Sequence, residues 1–119
     1  DYVDEYTIAA GDEASLTRLR AGLARLGAAI RDDGATPVLV ISPMLESWDR
    51  YHWAAIHDAV RAAGEAAGFS VHDPLDAWRG SERPEDLRSA GDNLHYSAQG
   101  NRLFARYVAD AVRAATVLH

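Results

Sequence analysis

The sequence contains neither cysteine nor lysine. Without cysteine the chain can form no disulfide, no thiol nucleophile and no thiolate metal site. All 12 basic side chains are arginines, and the 18 acidic residues bring the net charge to −6. Nonspecific nucleic-acid binding relies on clustered cations, which an acidic excess of this kind opposes. The composition therefore predicts no nucleic-acid partner.

Long apolar runs are also missing. No stretch approaches the roughly 18 apolar residues of a membrane-spanning helix, so we expect no membrane span. The first ten residues are acidic and have no basic n-region, so they do not form a signal peptide. A leader can be removed, and a chain without cysteine suits both the cytoplasm and oxidising compartments. Location therefore stays open between the cytoplasm and export after loss of a leader.

What the sequence does contain is ordinary for a soluble globular protein. Hydrophobic residues make up 48% of the chain and charged residues 25%, close to the usual values. A length of 119 residues allows at most one domain. We therefore treat residues 1–119 as a single domain, and the order of its elements indicates that this domain is partial.

The first half of the chain predicts two helices and two strands in alternation. Apolar residues recur at steps of three and four between Glu13 and Asp32, which predicts an amphipathic helix with Asp12 as N-cap. The stripe consists of Leu16, Leu19, Leu23, Leu26 and Ile30. "PVLVIS", residues 37–42, predicts a strand buried on both faces of a parallel sheet. A helix over 51–67 and a strand over 69–73 follow.

The second half predicts a polar connection and one long helix. The connection contains at most a short helix around Leu75 to Trp78. The last helix is expected from Ala98 to Ala115, with Ser97 as its N-cap. Its inner face should carry Leu103, Phe104, Tyr107, Val108, Ala111 and Val112.

This order of elements predicts an α/β fold with parallel strands joined by crossover helices. Two strands are too few, because parallel sheets usually have four to six strands and are covered on both faces. "YVDEYTI", residues 2–8, is a poor third strand because it is acidic. We therefore expect the C-terminal part of a larger α/β domain, completed by a missing or separate N-terminal segment.

Asp92 and His95 are the candidate catalytic residues. A histidine base needs an acceptor that holds its Nδ1 proton, and an aspartate three residues upstream on a tight loop can provide one. Gly91 frees the backbone for that loop. Turn chemistry explains the same residues without catalysis. The spacing alone leaves both interpretations open.

Three segments resemble the SGNH/GDSL hydrolases. "DNLHYSAQGNRLFARYVADAV" is similar to their last block, in which Asp-x-x-His precedes a glycine and a C-terminal helix. "GATPVLVISPM" and "YHWAAIHDAVRAAGEAAGFSVHDP" are similar to a late strand and to the helix and strand between these blocks. The resemblance covers most of residues 34–112. It implies a flavodoxin-like, three-layer α/β/α fold with a parallel sheet.

The resemblance also implies a serine ester hydrolase of the esterase, lipase or O-acetylesterase type. His95 would be the general base and Asp92 would orient it, with no metal and no cofactor. The family's serine, oxyanion glycine and oxyanion asparagine belong to earlier blocks that this sequence does not match. A companion segment or chain would carry the serine, and the substrate would be a small acyl ester or an acetylated sugar. Two alternatives remain: a noncatalytic binding or assembly domain on the same scaffold, and an O-acyltransferase.

Three serines within the chain are poor substitutes for the missing nucleophile. Ser15 lies at a predicted helix start, with no strand before it to make a strained turn. Ser97 is explained by helix capping and lies too close to His95 in sequence. Ser42 ends a predicted strand, but no turn follows to expose it.

Histidine and aromatic residues between the strands have weaker functional interpretations. His52 and His57 lie five residues apart, so they do not share a helix face as an i, i+4 metal pair would. A metal site that also uses the nearby Asp49 and Asp58 stays a minor alternative. Trp48, Tyr51 and Trp53 follow a predicted strand and could line an acyl or sugar pocket. Packing in the core or on the surface is the favoured interpretation of each aromatic residue.

Overall fold

A computed structural model describes residues 12–116 of the chain. Within this range the chain forms two compact units, which are described separately. The first comprises residues 12–41 and 52–72, and the second comprises residues 42–51 and 73–116. The weak third strand proposed for residues 2–8 lies outside the described residues.

The first unit begins with helix α1, Glu13–Asp32, whose bounds match the prediction. The Asp12 carboxylate caps it by accepting hydrogen bonds from the backbone N–H groups of Ala14 and Ser15, each at 3.3 Å. The predicted apolar stripe is wrong at Leu26, which is 52% exposed. The contact surface of α1 centres instead on the buried Gly27, where an added Cβ would lie 2.9 Å from the Ala67 carbonyl oxygen.

A two-stranded parallel sheet and helix α2 complete the first unit. Strand β1 spans Val38–Val40, α2 spans Ala54–Ala66 and strand β2 spans Ser70–His72. The central register pair is Leu39 with Val71. Helix α2 packs closely on this pair through Gly64, since a Cβ there would lie 2.8 Å from both side chains.

Both strands are half-buried, so the prediction of a strand buried on both faces is wrong for this chain. Each strand pairs with the other alone within residues 12–116. The predicted start of the second helix, Tyr51, is also wrong. Residues Trp48–Arg50 form a short 3-10 helix, Tyr51 is extended, and regular helix begins at Ala54.

The second unit consists mainly of three helices. Helix α3 spans Leu75–Ser81, α4 spans Pro84–Leu87 and α5 spans Ala98–Thr116. Helix α4 was not expected, because four residues in a polar connection give no periodic signal. The predicted start of α5 is confirmed, but Val112 is 44% exposed and does not belong to the inner face.

The core of the second unit is aromatic and aliphatic. Leu45 and Leu87 have no exposed surface, and Trp78 is 3% exposed. Partly buried side chains pack around these three residues: Trp48, Tyr96, Leu103, Phe104 and Tyr107. Such clusters supply most of the stability of a small unit, because burying one large apolar side chain contributes roughly 1.5 to 3 kcal/mol.

The described residues therefore form a mixed helix and strand chain with five α-helices and a small parallel sheet. None of the helices between residues 12 and 116 is both long enough and apolar enough to cross a membrane.

Candidate active site

The candidate residues lie on a tight loop of the second unit, residues 88–97. Arg88 and Tyr96 form an antiparallel bridge at its base. Just inside this bridge the backbone N–H of Ser89 donates to the carbonyl oxygen of His95 at 2.8 Å. The loop is therefore closed by backbone pairing, which limits how far its tip can move.

At the tip, Gly91 adopts a φ of 75°, a conformation that residues with a Cβ rarely adopt. This turn lets the Asp92 carboxylate fold back over its own loop. One oxygen, Oδ1, accepts from the backbone N–H groups of Leu94 at 2.6 Å and His95 at 3.2 Å. The other oxygen, Oδ2, forms a hydrogen bond with Nδ1 of the His95 ring. The structure therefore brings Asp92 and His95 together, as their spacing predicts.

The pair is polarised and accessible. The hydrogen bond from His95, followed by that from the Leu94 N–H, lowers the pKa of Asp92 to about 2. Asp92 therefore stays anionic at neutral pH. Its side chain is 33% exposed, whereas the His95 side chain is 76% exposed. With Nδ1 occupied by the carboxylate, the neutral ring carries its lone pair on Nε2.

A neighbouring segment, residues 42–45, holds the loop from one side. The backbone N–H of Leu45 donates to the carbonyl oxygen of Asn93 at 2.8 Å. The Arg88 guanidinium donates to the carbonyl oxygen of Leu45 at 2.9 Å. A third link joins the hydroxyls of Ser42 and Tyr96 at 3.0 Å. These three bonds connect residues more than 40 positions apart, so no local pattern could reveal them.

Helix α5 fixes the loop from the other side. Ser97 confirms its predicted role as N-cap, since its hydroxyl accepts from the Gly100 N–H at 3.1 Å and donates to the Asp86 carbonyl at 2.9 Å. The Ser97 N–H donates to the Leu87 carbonyl at 2.8 Å. An added Cβ at Gly100 would lie 2.0 Å from that same carbonyl oxygen. Only glycine allows this close approach of α5 to α4.

None of the three serines considered as nucleophiles hydrogen-bonds to His95. The Ser15 hydroxyl donates to the Asp12 carboxylate at 2.8 Å in the first turn of α1. Ser97 acts as a helix cap. Ser42 is exposed and bonds to Tyr96. Within residues 12–116 the structure therefore shows His95 paired with the Asp92 carboxylate and bonded to none of these three serines.

The other three histidines between residues 12 and 116 lie in the first unit and are not gathered into a site. His57 is 5% exposed on α2, and His52 is exposed before that helix. Ser70 and His72 lie two residues apart on β2, and the Ser70 Oγ and His72 Nε2 atoms form a hydrogen bond of 2.8 Å. Nowhere in residues 12–116 do three His, Cys, Asp or Glu side chains converge as a metal site requires.

The three aromatic residues have distinct surroundings. Trp53 is 4% exposed and therefore packs in the interior. The Tyr51 hydroxyl accepts from the Met44 N–H at 2.9 Å, and burial raises the pKa of Tyr51 well above its usual value. Trp48 is half-buried, and its Nε1–H donates to the Glu82 carbonyl at 3.0 Å. Trp48 also borders an open groove of the second unit, whose other wall is formed by residues 82–85.

Comparison with known proteins identifies no relative: no family model, curated protein or solved structure matches this chain. The likeness to SGNH hydrolases therefore depends on the motif residues themselves.

Proposed function

We propose that this chain supplies the Asp92 and His95 pair of an SGNH-type serine ester hydrolase. The nucleophilic serine lies outside the 119 residues, on a companion segment or chain. The observation that supports this proposal most strongly is the bond from Asp92 Oδ2 to His95 Nδ1 on a ring that remains 76% exposed.

The fold part of the proposal is a flavodoxin-like, three-layer α/β/α domain. The parallel pairing of β1 with β2 and the helix between them supports it. Both strands are half-buried, and in the proposed fold further strands and helices would cover them. Parallel sheets are almost always covered on both faces.

In the proposed reaction His95 Nε2 takes the proton of the serine hydroxyl while the serine oxygen attacks the ester carbonyl carbon. The imidazolium that forms is stabilised by the anionic Asp92. It then gives its proton to the departing alcohol, leaving an acyl-serine. Water attacks this acyl-serine with His95 again acting as the base, and the acid product is released. The steps use no metal and no cofactor.

The two carboxylate oxygens of Asp92 bind different groups of the loop. Oδ1 fixes the backbone at residues 94 and 95, and Oδ2 fixes the ring. Because its pKa is lowered to about 2, the carboxylate keeps its charge throughout the pH range in which esterases act. It therefore stabilises the charged ring in the transition state, where stabilisation raises the rate.

Labelling with a fluorophosphonate tests the proposal. The chain is expressed with an affinity tag in its own host and isolated with any longer or companion polypeptide, and intact masses of all chains are measured after labelling. We expect a phosphonylated serine outside these 119 residues. The His95→Ala protein should lose the label and lower turnover of an acetyl ester by roughly 10⁴- to 10⁶-fold.

The matched control is His52→Ala, which removes another exposed histidine, in the first unit. It should label and turn over like the unaltered protein. A label on a serine of this chain would contradict the proposal that the nucleophile lies outside these 119 residues. Absence of label on every polypeptide, with the chain folded, would favour a noncatalytic domain instead.

A further inference from the structure

Leu45 joins the loop of residues 88–97 to the core of the second unit. Its side chain has no exposed surface, and its backbone is bonded to the loop in two directions. The Leu45 N–H donates to the Asn93 carbonyl near the tip of the loop at 2.8 Å. The Leu45 carbonyl accepts from the Arg88 guanidinium at the base of the loop at 2.9 Å. The loop is therefore bonded to one fully buried residue at two separate points.

The bond at the base of the loop comes from a side chain. Arg88 is half-buried, and its guanidinium stays charged at every pH at which the protein is folded. Hydrogen bonds from a charged donor are roughly twice as strong as those between neutral groups. Without the guanidinium, the carbonyl of a fully buried residue would lose this donor, which destabilises the packing at that point. A substitution at Arg88 therefore tests the support of the loop without altering its backbone.

The base of the loop also holds the backbone of His95. Arg88 pairs with Tyr96, the residue that follows His95, in an antiparallel bridge. The N–H of Ser89 donates to the His95 carbonyl at 2.8 Å. On its other side, the His95 N–H donates to Oδ1 of Asp92 at 3.2 Å. The backbone of His95 is thus fixed in both directions, and Arg88 connects this bonded segment to the core.

We infer that Arg88 is a positioning residue for His95, because it holds the loop of residues 88–97 against Leu45 and so fixes the direction of the imidazole. The His95 side chain is 76% exposed, so its position depends on the loop and on Asp92 more than on packing. The catalytic consequence rests on the proposed hydrolase. A general base has to lie about 2.6 to 3.2 Å from the atom whose proton it takes, and a misplacement of about 1 Å can lower the rate roughly 100-fold.

Three variants test this role. Arg88→Met removes the guanidinium and keeps an unbranched apolar stem. Arg88→Lys keeps a charged donor with a shorter reach, so it should give an intermediate result. Arg83→Met is the matched control, because it removes another arginine of the second unit, whose side chain is 76% exposed and pairs with Glu85. Circular dichroism establishes that each variant is folded.

Two NMR measurements detect the position of the loop without any ester substrate. The ¹⁵N-labelled protein is isolated together with any companion polypeptide. In Arg88→Met the Leu45 amide should exchange with solvent about tenfold faster, since the loop opens more readily. The His95 ring should also lose part of its preference for a proton on Nδ1, because a loosened loop lets the ring and the Asp92 carboxylate separate. Arg83→Met should match the unaltered protein in both measurements.

Kinetics of the complete hydrolase separate positioning from substrate binding. Arg88→Met should lower kcat for an acetyl ester by about 10- to 100-fold. The KM should change by less than about twofold, because a positioning residue acts on His95 and not on the substrate. Arg88→Lys should recover part of the lost kcat.

The inference is overturned if a folded Arg88→Met protein keeps the His95 proton distribution unchanged, even with faster Leu45 exchange. Arg88 would then stabilise the loop without positioning the base. If Arg88→Met does not fold, Arg88→Lys decides, and readings identical to those of the unaltered protein overturn the inference. Where the unaltered protein hydrolyses no ester, the NMR measurements still test Arg88, and only the proposed hydrolase is contradicted.

Discussion

The contact of Gly100 with Leu87 offers a sharp test of how the loop of residues 88–97 is supported. In the Gly100→Ala protein the new Cβ would lie 2.0 Å from the Leu87 carbonyl oxygen and 2.8 Å from the Tyr96 ring. Ordinary van der Waals contact starts at 3.4 Å, so α5 and α4 would have to separate by about 1.4 Å. The obstacle is backbone, which cannot rotate aside as a side chain can.

The expected cost follows from two opposing effects. Overpacking a well-packed interior costs about 1 to 3 kcal/mol and occasionally more, and a clash with backbone should fall at the upper end. Replacing glycine with alanine inside a helix stabilises that helix by up to about 1 kcal/mol, because alanine has the higher helix propensity. We therefore expect a net loss of about 2 kcal/mol in the free energy of unfolding. The Leu87 carbonyl also accepts from Ser97, so the strain should reach the loop that carries His95.

Urea unfolding followed by circular dichroism measures this loss. With a denaturant slope of about 1 to 3 kcal/mol per molar urea, the midpoint should fall by about 1 M. The control is Gly80→Ala on α3, where a Cβ would meet nothing within 4 Å, and its midpoint should stay equal or rise slightly. A Gly100→Ala protein as stable as the original would refute the close packing of α5 on α4.

Three further predictions concern titration and the support of the loop. The pKa of Asp92 is lowered from 3.8 to about 2. Its contribution to the free energy of unfolding is therefore complete above pH 3.8 and is lost as the pH falls through about 2. Acid unfolding of the Asp92→Asn protein should lack this loss of stability. Burial raises the pKa of Tyr51. The stability that its neutral phenol contributes is therefore present below the ordinary pKa of 10, and it is lost only as the pH rises through the higher pKa of the folded protein. Burial also raises the pKa of Tyr96, so an ultraviolet titration should show late-titrating phenols, of which Tyr51→Phe removes one. Tyr96→Phe deletes the hydroxyl bound to Ser42 and should cost about 0.5 to 1.5 kcal/mol, whereas Ser42→Ala, Tyr96→Phe combined should cost no more than the larger single change.

The parts of the fold that the sequence predicted well are those with strong local signals. Helix α1 has a capping aspartate and regular apolar spacing, and its predicted bounds are confirmed. Helix α5 begins where Ser97 caps it. The two strands were placed correctly along the chain, but the burial predicted for β1 on both faces was wrong, because burial depends on neighbours that no local pattern specifies. Helix α4 was missed because tertiary contacts, not periodicity, stabilise its four residues.

In the candidate site, too, the sequence predicts the local contacts and not those between distant segments. The pairing of Asp92 with His95 depends on three residues of separation and a glycine turn, both visible in the sequence. The bonds that hold the loop, from Arg88 to Leu45 and between Ser42 and Tyr96, join distant parts of the chain. The groove at Trp48 combines two segments over 30 residues apart and could be found only in three dimensions.

The protonation of the His95 ring is the most direct test of the central claim. Nitrogen NMR of the ¹⁵N-histidine-labelled chain near neutral pH should show His95 with its proton on Nδ1 and an unprotonated Nε2, and Asp92→Asn should abolish this preference. If His95 instead shows the proton on Nε2, the form that an unrestrained imidazole favours, with no response to Asp92→Asn, then the carboxylate does not orient a base and the proposed hydrolase is contradicted.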